Sequence, residues 1–254
     1  VIDCDFLVDL VTRRGSEIAL ISVMAANNET GVIQPIDRVV EIAGDIPVHS
    51  DAVQSFMKVP LNYSQLGLFA MTISAHKIGG PLGIGALILR RAFEMPALLH
   101  GGGQEREIRS GTLNAPSIVA FATAVTESIY NAVTVSSLRE KFETGIADVA
   151  PDAQINGTGA GRLPGISNIT FPGTQADFLL LLMDGKEVSC STGAACTAGV
   201  HRPSHVLMAM GHDEIGATSS LRFSLGATTT VGDIEYALSV IPEVVAMAKA
   251  ANSL

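Results

Sequence analysis

The feature that most constrains the fold is a set of short, nearly unbroken apolar runs separated by helical periodicity. Ile18–Met24, Leu68–Ser74 and Ile84–Leu89 are too continuous for strands with one wet face and too short to cross a bilayer. Pro47–Ser50 supplies a further short strand that ends at Asp51, and Ile36–Ala43 has the spacing of a helix. Buried strands alternating with helices predict an α/β architecture, a sheet covered by helices on both faces. Past the glycines at 101–103, helical patterns over Ser117–Ala132 and Ser136–Val149 lead into a different texture. There, strand-like Ile166–Phe171, Glu187–Cys190 and Leu221–Leu225 interleave with helices over Gln175–Lys186, Pro203–Met210 and Val231–Ala251, the pattern of a smaller α+β domain. We place the boundary near residue 130, with a partial large domain over 1–130 and a small C-terminal domain over 131–254. In open α/β sheets chemistry collects at strand ends.

Composition narrows the function classes. A net charge of −9 argues against nucleic acid as a partner, because phosphate binding needs a basic footprint. With 47% hydrophobic residues but only 5% aromatics and no Trp, the core must be built from Leu, Ile, Val, Ala and Met. The three cysteines, Cys4, Cys190 and Cys196, form neither a disulfide framework nor a metal-ligand spacing, so no metal is expected and a reducing cytoplasm is the expected compartment. Ile18–Ala26 and Phe178–Met183 fall short of the roughly 20 residues that span a bilayer, so no membrane partner is expected. The sequence starts without an initiator Met or a signal peptide, in a helix-like stretch over Asp5–Val11, which leads to the expectation of a fragment. Phosphate-loop, zinc-helix and nucleophile-elbow patterns are missing.

Several residues carry chemistry. Lys77 follows an apolar strand and precedes the breaker Gly79-Gly80-Pro81. A lysine held partly out of water there loses the hydration that favours its ammonium and becomes a usable amine. Asp51 has an ordinary reading as the cap of a helix over Ala52–Phe56. Taken with Lys77 it suits pyridoxal 5'-phosphate, which needs a lysine for attachment and a carboxylate to keep its pyridine nitrogen protonated. Ser74 and His76 suit the oxygens of a phosphate ester, or else a helix cap and a solvated turn. Gln54, one helical turn beyond Asp51, suits the cofactor's phenolic oxygen or simply solvent. Cys196 lies among the small residues of Ser191–Gly199, which offer little apolar surface for a buried thiol to join. Cys190 reads as structural and Cys4 as incidental. Arg222, mid-strand between apolar neighbours, must face an anion, either a substrate carboxylate or an internal Asp or Glu. Asn28 holds a turn or the substrate, and Arg106 and Arg109 bind phosphate or stitch an interface.

The stretches Asn27–Gly31, His49–Ser55, Ser74–Lys77, Gly79–Leu87, His100–Arg106, Arg109–Thr112 and Pro203–Leu207 resemble, in order, the motifs of the cysteine desulfurases. These are pyridoxal-phosphate enzymes of the aminotransferase-like fold (fold type I), with a mixed, mostly parallel sheet, that supply sulfur for iron–sulfur clusters and thiolated cofactors. The long loop Ser191–Thr197 is similar to that of the group I type associated with cluster assembly.

The resemblance implies roles. Lys77 would hold the coenzyme and then move protons, Asp51 would pair with its pyridine nitrogen, and Gln54 would approach its phenolic oxygen. Ser74 and His76 would bind its phosphate, Arg222 and Asn28 would grip the substrate carboxylate, and Thr112 would reach the phosphate held by a partner subunit. Cys196 would be the nucleophile that takes sulfur from L-cysteine, leaving alanine and a persulfide. A homodimer and a sulfur-acceptor or iron–sulfur scaffold protein are the implied partners. Relative to the family pattern roughly the first third is missing, with its glycine–threonine phosphate loop and ring-stacking histidine, so this chain by itself is expected to bind the coenzyme poorly or not at all. Selenocysteine lyase, another aminotransferase-like enzyme, and a non-catalytic sulfur-carrier scaffold are the competing readings.

Overall fold

The computed structural model describes residues 1–91, 93, 95–193 and 203–252. They form two compact units, Val1–Ala25 with Gln34–Ile129, and Ala26–Ile33 with Tyr130–Leu254.

In the first unit, α1 (Cys4–Arg14) starts where Asp3 accepts the amide of Phe6 and ends in Arg13 and Arg14, cations suited to a helix C-terminus. It is followed by β1 (Ile21–Met24), α2 (Ile36–Ala43), β2 (Val48–Asp51), α3 (Tyr63–Leu66), β3 (Ala70–Ser74), β4 (Gly85–Leu89) and α4 (Ala115–Thr126). The sheet order is β1-β2-β3-β4. The first two pairings are parallel and the third is antiparallel, the expected mixed, mostly parallel sheet. Leu7, Ile21, Val39, Val48, Leu68, Met71 and Ile73 form its core.

Local chemistry moves several boundaries. The strand expected from Ile18 begins only at Ile21, because Gly15–Glu17 close a 3₁₀ turn onto which Ile18 folds back. The helix expected over Ala52–Phe56 is a single turn: Phe56 bonds back to Ala52, and Met57 then takes a left-handed φ of 61° that ends it. Both later helices start earlier than their apolar pattern, because Asn114 caps α4 and Asn131 caps α5.

The second unit contains α5 (Ala132–Val149), β5 (Gln154–Ile155), β6 (Ile166–Thr170), α6 (Ala176–Asp184), β7 (Ser191–Thr192), α7 (His205–Ala209), α8 (Glu214–Thr218), β8 (Ser220–Ser224) and α9 (Val231–Asn252). The antiparallel sheet β5-β6-β8-β7 backs onto α5, α6 and α9, with the Phe142 and Phe223 rings 5.0 Å apart in the core. The strand expected over Glu187–Cys190 does not form: Glu187 takes φ 58°, Val188 bonds to Met183, and pairing with β8 starts at Ser191. Ala26–Ile33, which a single cut near residue 130 leaves with the first domain, folds with the second unit. Its Ile33 amide bonds to Gly161, and Leu163 bonds back to Gly31, each at 2.8 Å.

Candidate active site

Side chains alternate across a strand, so register decides which residues share a face. In the first unit Ser22 pairs with His49, and Met24, Asp51 and Thr72 stand in one row. Ser22, His49, Asp51, Thr72 and Ser74 therefore line one face, while Ile21, Val48, Met71 and Ile73 enter the core on the other. The His49 ring ties three strands together, with Nδ1 2.8 Å from Ser22 Oγ and Nε2 2.9 Å from Thr72 Oγ1.

The charged groups follow at the C-terminal ends of β2 and β3. Asp51 is exposed, and its Oδ1 accepts the amide of Val53 at 2.9 Å, a local turn rather than a helix cap. Gln54 lies in that turn, with its Oε1 3.4 Å from Lys58 Nζ. Ser74 Oγ is 2.6 Å from His76 Nδ1, and no cap bond runs from Ser74 into the following turn. Lys77 closes the 3₁₀ turn Ala75–Lys77. Gly80 then packs so tightly on this turn that a Cβ there would lie 2.9 Å from Ala75 Cβ. The described residues leave Lys77 and His76 exposed, which corrects the expectation of a lysine partly withdrawn from water. Short glycine connections hold the lysine at the strand end without walling it off. Thr112 is exposed after Gly111 and makes no hydrogen bond to the strand-end group among the described residues.

The other expected residues lie in the second unit. Asn27 organises the turn: its Oδ1 accepts Glu29 N and Thr30 N, each at 2.9 Å, and Thr30 Oγ1 at 3.1 Å. The neighbouring Asn28 side chain is thereby spared turn duty, and its carbonyl accepts Arg222 Nη1 at 2.9 Å. Arg222 Nε is buried without a hydrogen-bond partner, and no carboxylate pairs with this guanidinium among the described residues. A buried donor left unmade costs about 1–3 kcal/mol. Cys196 falls outside the described residues. Cys190 is half-buried, and burial, with the Asp184 charge second, pushes its thiol up to about 11.

The donor set on the first unit's polar face fits a phosphorylated pyridine aldehyde: an amine, a carboxylate, and a hydroxyl–imidazole pair at adjacent strand ends. A mixed, mostly parallel α/β sheet and an antiparallel α+β unit are the parts expected of an aminotransferase-like protein of fold type I, a class that works with pyridoxal phosphate. The chain belongs to the class-V aminotransferase family, whose profile matches residues 3–237.

Among its relatives, an IscS-like cysteine desulfurase of Mycobacterium tuberculosis is 46% identical over 242 residues, covering 92% of this chain and 62% of that protein. Cysteine desulfurase NifS of Azotobacter vinelandii is 37% identical over 251 residues, covering 96% and 62%. The X-ray structure of a NifS-like protein from Rickettsia africae superposes with a TM-score of 0.86 at 36% identity, over 96% of this chain and 66% of that one. SspA, solved in complex with cysteine, superposes with a TM-score of 0.75 at 32% identity, over 90% and 64%. The chain therefore spans a little under two thirds of the length of these relatives.

Sequence reasoning missed His49, Asn27 and Glu29 as organising residues. The signal for the first was a polar residue on the same face of each of three apolar strands, Ser22, His49 and Thr72, visible only once the strands are set side by side.

Proposed function

We propose that this chain carries the catalytic machinery of a cysteine desulfurase that uses pyridoxal 5'-phosphate to take sulfur from L-cysteine. The observation that carries the reading is the meeting of Asp51, Ser74, His76 and Lys77 at the ends of two adjacent parallel strands. The identity to named desulfurases and the cysteine held by SspA favour the substrate.

The coenzyme, when bound, supplies an electron sink that makes the substrate's C–S bond labile. The residues divide the remaining work. Asp51 holds the pyridine nitrogen proton, Gln54 meets the phenolic oxygen, and Ser74 and His76 hold the phosphate. Lys77 anchors the coenzyme and then carries protons to and from the substrate carbon, with His76 beside it. Arg222 and Asn28 hold the substrate carboxylate. The Cys196 thiolate attacks the substrate sulfur, and the C–S electron pair returns to the carbon, which takes up a proton and leaves as alanine. Cys196 keeps the persulfide until a sulfur-acceptor or iron–sulfur scaffold protein removes it.

We read the protein as a homodimer in which Thr112 reaches the partner's phosphate, and as cytoplasmic, because a cycling thiolate needs a reducing compartment. Among the described residues no helix is long and apolar enough to cross a membrane.

The test is alanine and sulfide formation from L-cysteine by the protein expressed from its complete reading frame. The reading predicts equal amounts of both in the presence of a reductant. Cys196→Ser should abolish sulfide release yet keep the coenzyme attached. Keto-acid formation that survives Cys196→Ser indicates an aminotransferase, faster turnover of selenocysteine than of cysteine a selenocysteine lyase, and absence of any turnover a scaffold.

A further inference from the structure

Glu29 is a carboxylate that the proposed chemistry does not use, and it is only 5% exposed. An ionised carboxylate is buried only where partners hold it. Glu29 is fixed from behind: Asn27 Oδ1 accepts its amide at 2.9 Å, and Asn168 Nδ2 of β6 donates to its carbonyl at 3.3 Å. Its side chain reaches two points that are far apart in sequence. Ser204 Oγ donates to Glu29 Oε2 at 2.5 Å, the short end of the range for an O–H···O bond. On the other side, the same Oε2 fills the space a side chain would take at Gly193, where an added Cβ would lie 2.4 Å from it.

Gly193 and Ser204 flank residues 194–202, the stretch that carries Cys196. Ser204 also starts α7, its Oγ accepting Leu207 N at 3.2 Å and its carbonyl accepting Met208 N at 3.0 Å. One oxygen of one carboxylate thus bonds to Ser204 and lies against Gly193, described residues on either side of that stretch.

We propose that Glu29 is a positioning residue for the sulfur-transfer step, clamping both ends of the Cys196 segment through Ser204 and against Gly193. Fixing the two ends removes chain conformations that carry the thiol away from its target, the entropic part of bringing reacting groups together. Only the catalytic consequence rests on the desulfurase reading; the clamp itself rests on the second unit's own geometry.

Two readouts on Glu29→Ala, Glu29→Gln and Ser204→Ala test it in the protein expressed from its complete reading frame. The first is peptide-resolved alkylation by iodoacetamide, with Cys4 and Cys190 as internal references. Release of the clamp should raise the Cys196 rate about threefold or more in Glu29→Ala and Ser204→Ala, with the other two cysteines unchanged. Glu29→Gln, whose amide oxygen still accepts from Ser204, should restore most of the native rate. The second is turnover: kcat for alanine should fall on the order of tenfold to a hundredfold in Glu29→Ala while KM for L-cysteine holds.

An unchanged Cys196 rate in Ser204→Ala overturns the proposal, as does acceleration of all three cysteines together, which marks general loosening. If the native protein makes no alanine but Cys196 alone responds to these variants, the desulfurase reading fails and the clamp stands.

Discussion

At the scale of single residues, environment separates the cysteines that the sequence could only rank. Burial pushes the Cys190 thiol from 9.0 to about 11, with the Asp184 charge adding to it. At pH 8 it should then carry about a hundredfold fewer thiolates than the same thiol unfolded, a factor of ten for each unit. The sign follows from linkage: the folded state favours the neutral thiol, so its advantage is complete below pH 9.0 and is lost as pH rises through about 11. Iodoacetamide labelling of Cys190 should stay slow at pH 8 and climb until pH approaches 11; a plateau already reached at pH 9 would contradict it. The positions of Asp51 and Lys77, at the end of β2 and in the turn after β3, were legible in the sequence, because a charged residue closing or soon following an apolar run stands out. Glu29 was not legible, since Asn27–Gly31 reads as an ordinary polar turn and its burial comes from Ser204 and Gly193, far along the chain.

At the scale of elements, apolar periodicity placed most strands and helices, and what it missed was decided by local backbone chemistry. Asparagine caps moved the starts of α4 and α5, and a left-handed Glu187 delayed β7. Register was beyond reach, because pairing His49 with Ser22 and Ala70 joins residues distant in sequence, and with it went the polar face that gathers the candidate site. Close approach of backbones makes one glycine decisive: a Cβ on Gly165 would lie 2.3 Å from the Leu225 carbonyl, whose amide bonds back to Gly165 at 2.8 Å. Gly165→Ala should cost about 1–3 kcal/mol, the scale of an overpacked core. Gly159, with nothing within 4 Å of the added carbon, is the control. Thermal unfolding of the two variants should separate by several degrees, and equal midpoints would contradict the packing described here.

At the scale of the molecule, the first unit presents apolar surface that a self-contained protein seldom exposes. α4 is strongly apolar yet buries none of its residues, with Val119 65% exposed, and Leu87 of β4 is 46% exposed. The same chain spans 62% of the Mycobacterium tuberculosis and Azotobacter vinelandii desulfurases, and the described residues leave Lys77 open to solvent. On the proposed reading, an amine so exposed would become a selective attachment point only with the coenzyme's other groups held, the work proposed for Asp51, Ser74 and His76. The most direct test is borohydride reduction of the protein expressed from its complete reading frame, followed by peptide mass analysis. The account predicts a pyridoxyl group on Lys77 and on no other lysine; a pyridoxyl group elsewhere, or none at all, would contradict it.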